Sequence, residues 1–152
     1  MRAGLIKFGT SHGELSPAPI DREWILEGDP VARNKFLSRS VDGGGSTYIW
    51  DCTAGRFNWY YNIDETVCVL KGSVLVREHN GGSRLLEVGD TAFFAAGSSA
   101  EWTVQTYIRK VAFMHRPLPP PLRMAKKVYV GIRGIIRGRA KQKSGEMVPT
   151  MF

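Results

Sequence analysis

The stretches WDCTAGRFNWYYNIDETVCVLKG, residues 50–72, and LEVGDTAFFAAGSSAEW, residues 86–102, decide how this chain folds. Both are short runs of β-branched and aromatic residues broken at regular intervals by turn chemistry, which is the texture of strands. The same texture runs from Thr47 to His115, taking in YIWDCTAG, RFNWYYNIDE, TVCVLKG, SVLVREHNGGS, RLLEVGD, TAFFAAGSS and AEWTVQTYIRKVAFMH. Asn80-Gly81-Gly82 predicts a hairpin between SVLVREH and RLLEV. Several short strands at this spacing imply an all-β sandwich or barrel rather than alternating βα units.

Upstream, residues 20–40 supply short apolar pieces around the turn signal Gly28-Asp29-Pro30, and Asp42-Gly43-Gly44-Gly45 then forces a loop. Residues 1–19 have little periodicity and read as an N-terminal arm or a first edge strand. Downstream, Pro117-Leu118-Pro119-Pro120-Pro121 breaks the strand pattern and stiffens the chain. The expected division is therefore an arm over 1–19, a barrel over 20–117, and a Pro-rich linker with a basic C-terminal extension over 118–152. Within that extension Leu122, Ala125, Val128, Tyr129, Ile132, Ile135 and Ile136 recur at steps of three and four, which predicts an amphipathic helix. Gly131, Gly134 and Gly138 weaken that helix, since each costs about 1 kcal/mol relative to Ala, and leave a strand over VYVGI as the alternative.

A length of 152 residues suits one domain with a substantial core. The formal net charge of +7 conceals a division, because residues 1–115 carry 12 Lys and Arg against 13 Asp and Glu, whereas residues 116–152 carry nine against Glu146 alone. No apolar run reaches the length of a membrane-spanning helix, and the opening MRAGLIKF lacks the apolar stretch of a secretory signal. A cytoplasmic location is the expectation. Cys52 and Cys68 form no CxxC pair and read as reduced thiols in or near strands.

The two opening stretches resemble the paired motifs of the cupin superfamily, whose fold is a double-stranded β-helix, or jelly-roll, barrel. Within it the chain is similar to the small single-domain branch of (S)-ureidoglycine aminohydrolase-type, or DUF861, cupins. The likeness extends upstream through EWILEGDPVARNKFLSRS. In the superfamily pattern two metal-binding histidines, one residue apart, point into the barrel. A glutamate follows after three or four residues, and a glycine turns the chain seven residues later. Glu65 and Gly72 keep that last spacing. A three-residue gap before Glu65 puts Trp59 and Tyr61 at the histidine places, and a four-residue gap puts Asn58 and Tyr60 there. In the second motif Gly89, Asp90 and Gly97 hold the turn positions, while Ala95 replaces the proline and Ala100 the third histidine. Indole and methyl groups offer no donor to a transition ion and a neutral phenol is a poor one, so the expectation is a barrel with no metal and no other cofactor. His12, His79 and His115 do not rebuild the set, although His115, at the end of the last barrel strand, merits inclusion among ligand-binding candidates.

Period-two alternation places Trp59, Tyr61 and Glu65 on one face, expected to be the interior, with Trp102 facing the same space. Two readings follow. In one, the aromatics plug the barrel and Glu65 forms a buried ion pair with Arg56 or Arg77. In the other, Trp59, Tyr61, Glu65, Trp102 and His115 line a pocket for a small polar molecule such as a sugar or an amino- or hydroxy-acid. A carboxylate among aromatic walls can serve as a general acid or base, so Glu65, with the Tyr61 phenol, is the candidate catalytic pair. That pair would suit an isomerase, a lyase or, by the resemblance, an aminohydrolase. Trp24 and Trp50 read as packing residues. A homodimer is the expected assembly, since a second copy commonly covers open strand edges. The cations and aliphatic residues over 122–143 either pack across the barrel or a second subunit with the charges solvated, or dock to a membrane surface or an acidic partner, which the aliphatic stripe favours over nucleic acid.

Overall fold

The computed structural model describes residues 6–116 and 119–143, which divide into two compact units at residues 117 and 118. The first unit is all-β. Among its described residues the strands are β1 (Ser16–Pro17), β2 (Ile25–Glu27), β3 (Ala32–Arg39), β4 (Gly45–Tyr60), β5 (Asp64–Gly72), β6 (Val74–Glu78), β7 (Ser83–Leu86), β8 (Thr91–Phe94) and β9 (Ser99–His115). A single 3-10 turn over Arg22–Trp24 precedes β2, with Asp21 accepting from the Glu23 amide at its start.

Two long antiparallel strands organise the barrel. β4 and β9 pair along nearly their whole length, from Gly45 opposite His115 to Tyr60 opposite Ser99. One half of this ribbon is flanked by β3 and β5, the other by β2 and β6, so the two strands belong to both halves of the barrel. β1 extends the first half beyond β3 and β8 extends it beyond β5, while β7 pairs with β6. The predicted hairpin at Asn80-Gly81-Gly82 joins β6 to β7, with Glu78 and Gly82 bonded across it.

The sequence texture suggests a break at Thr53-Ala54-Gly55, but β4 runs through it. The register slips between Thr53 and Gly55, a bulge that bends the ribbon from one half of the barrel into the other. Gly55 is required there by a neighbour, because a Cβ at that position would collide with the ring of Pro30. The bulge also switches which residues face inward: Trp50 and Cys52 before it, Phe57 and Trp59 after it.

The core is a continuous cluster of Ile20, Ala32, Trp50, Cys52, Phe57, Tyr61, Val69, Val74, Val76, Leu86, Ala100, Trp102, Val104 and Ile108. Along β9 the inward set falls on even numbers, from Ala100 through Trp102, Val104 and Ile108 to Lys110 and Ala112. Cys52 and Cys68 are free thiols. Cys52 is wholly enclosed, and burial pushes its thiol up to about 12, which makes it a packing residue.

The second unit contains α1 (Pro120–Lys143). The helical reading holds over VYVGI, and the strand alternative falls. By helical geometry Leu122, Met124, Ala125, Val128, Tyr129 and Ile132 share one side while Lys126, Lys127 and Arg133 lie on the other with Val130 among them, and all of them are exposed. Among the described residues, no helix is long and apolar enough to cross a membrane.

Candidate functional site

The interior of the barrel holds an ion pair. Glu65, on β5, and Lys110, on β9, lie on the same inward face, and the Lys110 ammonium donates to Glu65 Oε1 at 2.5 Å. Only 5% of the lysine side chain and 3% of the glutamate side chain reach solvent. Lys110 is opposite Val69, four residues along β5 from Glu65, and the two side chains reach towards each other across that interval. A buried charge is tolerated only with compensation, and this one has more than its carboxylate. The ammonium stands 4.7 Å from the ring centroid of Trp102, 5.0 Å from that of Trp50 and 6.0 Å from that of Trp59. Indole faces are electron-rich and attract cations. The three indoles also pack edge-on against one another through Trp50, which fixes their orientation.

Above the pair opens a cavity of about 280 Å³ lined by Asn34, Tyr48, Trp50, Trp59, Glu65, Lys110, Ala112 and Met114. A wider recess at the rim, lined in part by Arg39, Asn62 and Arg116, shares Tyr48 and Met114 with it. The cavity floor thus carries one positive and one negative group side by side, with indole walls and the Asn34 amide and Tyr48 phenol nearby. Such a surface can hydrogen-bond a small polar molecule at two poles and stack against its apolar face.

The candidate residues take different places. Trp59 and Glu65 line the cavity. Tyr61 and Trp102 face the interior but lie in the packed core, where Trp102 Nε1 donates to the Tyr61 hydroxyl at 3.0 Å and Tyr61 stacks on Phe94. Burial, and then the Glu65 carboxylate, push the Tyr61 phenol well above its ordinary range, so it stays protonated. His115 is an exposed residue at the end of β9, on the opposite phase from the inward even-numbered set, and is not brought together with the others. The expected partners of Glu65 are also corrected. Arg56 pairs with Glu27 and Glu101 instead, Arg77 is an exposed residue of β6, and Lys110 takes the carboxylate. Trp24 does pack, against Trp59 and Tyr60, whereas Trp50 is both core and cavity wall.

Lys110 carried a readable signal: a lone lysine in phase with Ile108 and Ala112 on an otherwise apolar inward row. A second buried charge lies on the other face of β4. Asp51 accepts from Arg33 at 2.8 and 3.0 Å, from the Tyr107 hydroxyl at 2.7 Å and from Arg109 at 2.9 Å. Arg109 also donates to the Ser11 carbonyl at 3.0 Å, which ties the N-terminal arm to the sheet.

The register decides between the two placements of the motif. Trp59 is opposite Ala100, so those two inward positions adjoin across β4 and β9, while Tyr60 is half exposed. The three-residue gap is the structural one. A family model for the EutQ-like cupin domain matches residues 39–112, which span β4 through most of β9. Over those residues, slightly under half of its length, the chain matches the EutQ-like cupin family. A DUF861-family protein of unknown function from Pseudomonas syringae pv. tomato is 26% identical with a TM-score of 0.64 over 69% of this chain. The chain spans 46% of that protein's length. A putative ethanolamine utilization protein Q from Salmonella typhimurium is 23% identical with a TM-score of 0.51, covering 70% of this chain and 98% of that one. The EutQ protein of Clostridium difficile is 20% identical with a TM-score of 0.50, covering 57% and 63% respectively. These last two share the fold. No curated protein matches the chain.

The residues of this cupin do not fit the metal ion that the superfamily pattern implies. At the ligand places Trp59 and Ala100 offer no lone pair, the Tyr61 oxygen accepts from Trp102, and Glu65 is neutralised by Lys110. Among the described residues no three of His, Cys, Asp and Glu converge.

Proposed function

We propose that this cupin binds a small polar organic molecule, of the sugar or amino- or hydroxy-acid type, in the barrel cavity and without a metal ion. The observation that supports this reading is the adjoining ammonium and carboxylate at the floor of an indole-walled cavity of about 280 Å³. That volume is close to the lower end of small-molecule sites, roughly 300 Å³, and so suits a ligand of a few carbons. Trp50 and Trp59 line the cavity, which makes intrinsic fluorescence the direct assay. Titration with a panel of simple sugars, amino acids and hydroxy-acids is expected to give saturable quenching by at least one class, lost in Lys110→Met and in Glu65→Gln. A panel without effect, or quenching that survives both substitutions, would sink the reading.

A second reading rests on α1. Its apolar side chains Leu122, Met124, Val128, Tyr129, Val130 and Ile132 are between 52% and 71% exposed beside Lys126, Lys127 and Arg133. A helix of that pattern suits an anionic membrane surface, with the apolar side buried at the headgroup boundary and the cations towards the lipid phosphates.

A further inference from the structure

The superfamily pattern places a cation beside the motif glutamate, and in this barrel a cation is there, but it is part of the chain. Lys110 Nζ lies 2.5 Å from Glu65 Oε1. The groups around it have changed in kind to match. Trp59 stands at a histidine place and faces the ammonium at 6.0 Å, and Trp102, two residues beyond Ala100, faces it at 4.7 Å. Trp50 closes a third side at 5.0 Å. An imidazole ring ligates through an in-plane lone pair, which a divalent ion requires. An indole face instead offers a diffuse negative potential that attracts an alkylammonium head. A carboxylate with three indole faces is therefore a cage for an ammonium ion.

We propose that Lys110 is the resident cation of this barrel: its ammonium holds the place of the metal, in a carboxylate and indole cage whose ligand class is the primary alkylammonium ion. Two consequences separate this from ordinary core packing. The cage recognises the charge as well as the shape of the lysine stem. It also disfavours transition ions, because the ammonium repels them and the only anionic donor within reach among the described residues is already engaged.

The test uses the full chain. Lys110→Ala removes the stem and ammonium and leaves the cage with Glu65. Its melting temperature is expected to fall well below that of the unsubstituted protein. n-Propylammonium chloride at millimolar concentration is expected to restore at least half of the loss, since a ligand that binds only the folded state stabilises it. Sodium chloride at equal ionic strength and 1-propanol are expected to restore none, and Lys110→Ala/Glu65→Gln is expected to lose the rescue. Equal rescue by 1-propanol, or none by n-propylammonium, overturns the proposal. Should Lys110→Ala not fold, Lys110→Met keeps the stem and isolates the charge. Adding Glu65→Gln to it must then recover melting temperature by removing the unpaired carboxylate, and a double variant no more stable than Lys110→Met overturns the proposal. So does a stoichiometric manganese, zinc or nickel ion retained by the unsubstituted protein after dialysis and released by Glu65→Gln.

Discussion

Asp51 shows how a buried carboxylate adds to the acid sensitivity of the fold. Burial works to raise its pKa, but hydrogen bonds from Arg33, Arg109 and Tyr107 outweigh it and hold the carboxyl below its ordinary value of 3.8. The unfolded chain therefore takes up this proton at a higher pH than the folded one. The resulting stabilisation is complete above the ordinary value and is lost as pH falls through the lower, folded value. Asp51→Asn is expected to cost about 2 kcal/mol at pH 7, the scale of a lost charged hydrogen-bond partner. The difference should narrow steadily below pH 4, as read by urea unfolding across that range. Parallel stability curves for the two proteins would refute the assignment. At this scale the sequence was only partly legible. Glu65 was found because spacing to Gly72 is a one-dimensional property. Arg56 and Arg77 are cations nearer to it in sequence, whereas Lys110 comes from 45 residues away across the β5 and β9 pairing. Nothing in the sequence around Asp51 marks it, because its partners appear only when β3 and β9 bring Arg33 and Arg109 opposite it on both sides.

Between elements, the turn that ends β5 does the positioning. Gly72 has φ +73° and sits against the Tyr107 carbonyl of β9, which a Cβ would strike. Both the left-handed backbone and the close approach exclude a side chain. That gives a physical cause for the glycine seven residues after the motif glutamate: the turn fixes where β5 ends relative to β9, and hence where Glu65 meets Lys110. Gly72→Ala is expected to destabilise the barrel by at least about 2 kcal/mol, combining backbone strain with displacement of a strand. Thermal melts would check this, with Gly81→Ala as comparison, since φ is also positive there but nothing lies within 4 Å. Equal losses at both positions would mean that backbone conformation alone matters and that Tyr107 does not. Alternation and turn residues made most strands legible, including the hairpin of β6 and β7. The bulge at Thr53 to Gly55 was not, because Gly55 looks like a break in one dimension and its reason, the ring of Pro30, lies on another segment.

The chain as a whole separates its charges by unit: residues 1–117 carry 13 charges of each sign, and the eight cations from Arg123 to Lys143 have no acid among them. Composition made this division plain, and periodicity predicted the helix, but neither could say what it touches. If α1 docks to lipid, attraction should grow with anionic lipid and fall with salt, since exposed charges are screened over about 8 Å at physiological ionic strength. The full chain is expected to sediment with vesicles containing phosphatidylserine, to release in high salt, and to remain in solution with vesicles of phosphatidylcholine alone. A 1–117 truncation should not sediment with either. Charge and apolar side chains can then be separated, because Lys126→Glu/Lys127→Glu removes attraction while leaving Leu122, Val128 and Ile132 in place. Val128→Ser/Ile132→Ser does the converse, losing insertion while keeping the cations. A membrane-docking helix requires both double variants to bind more weakly than the parent. Loss in the charge variant alone would make the helix a polycation without insertion, and equal sedimentation of the full chain and the truncation would remove the membrane from its function altogether.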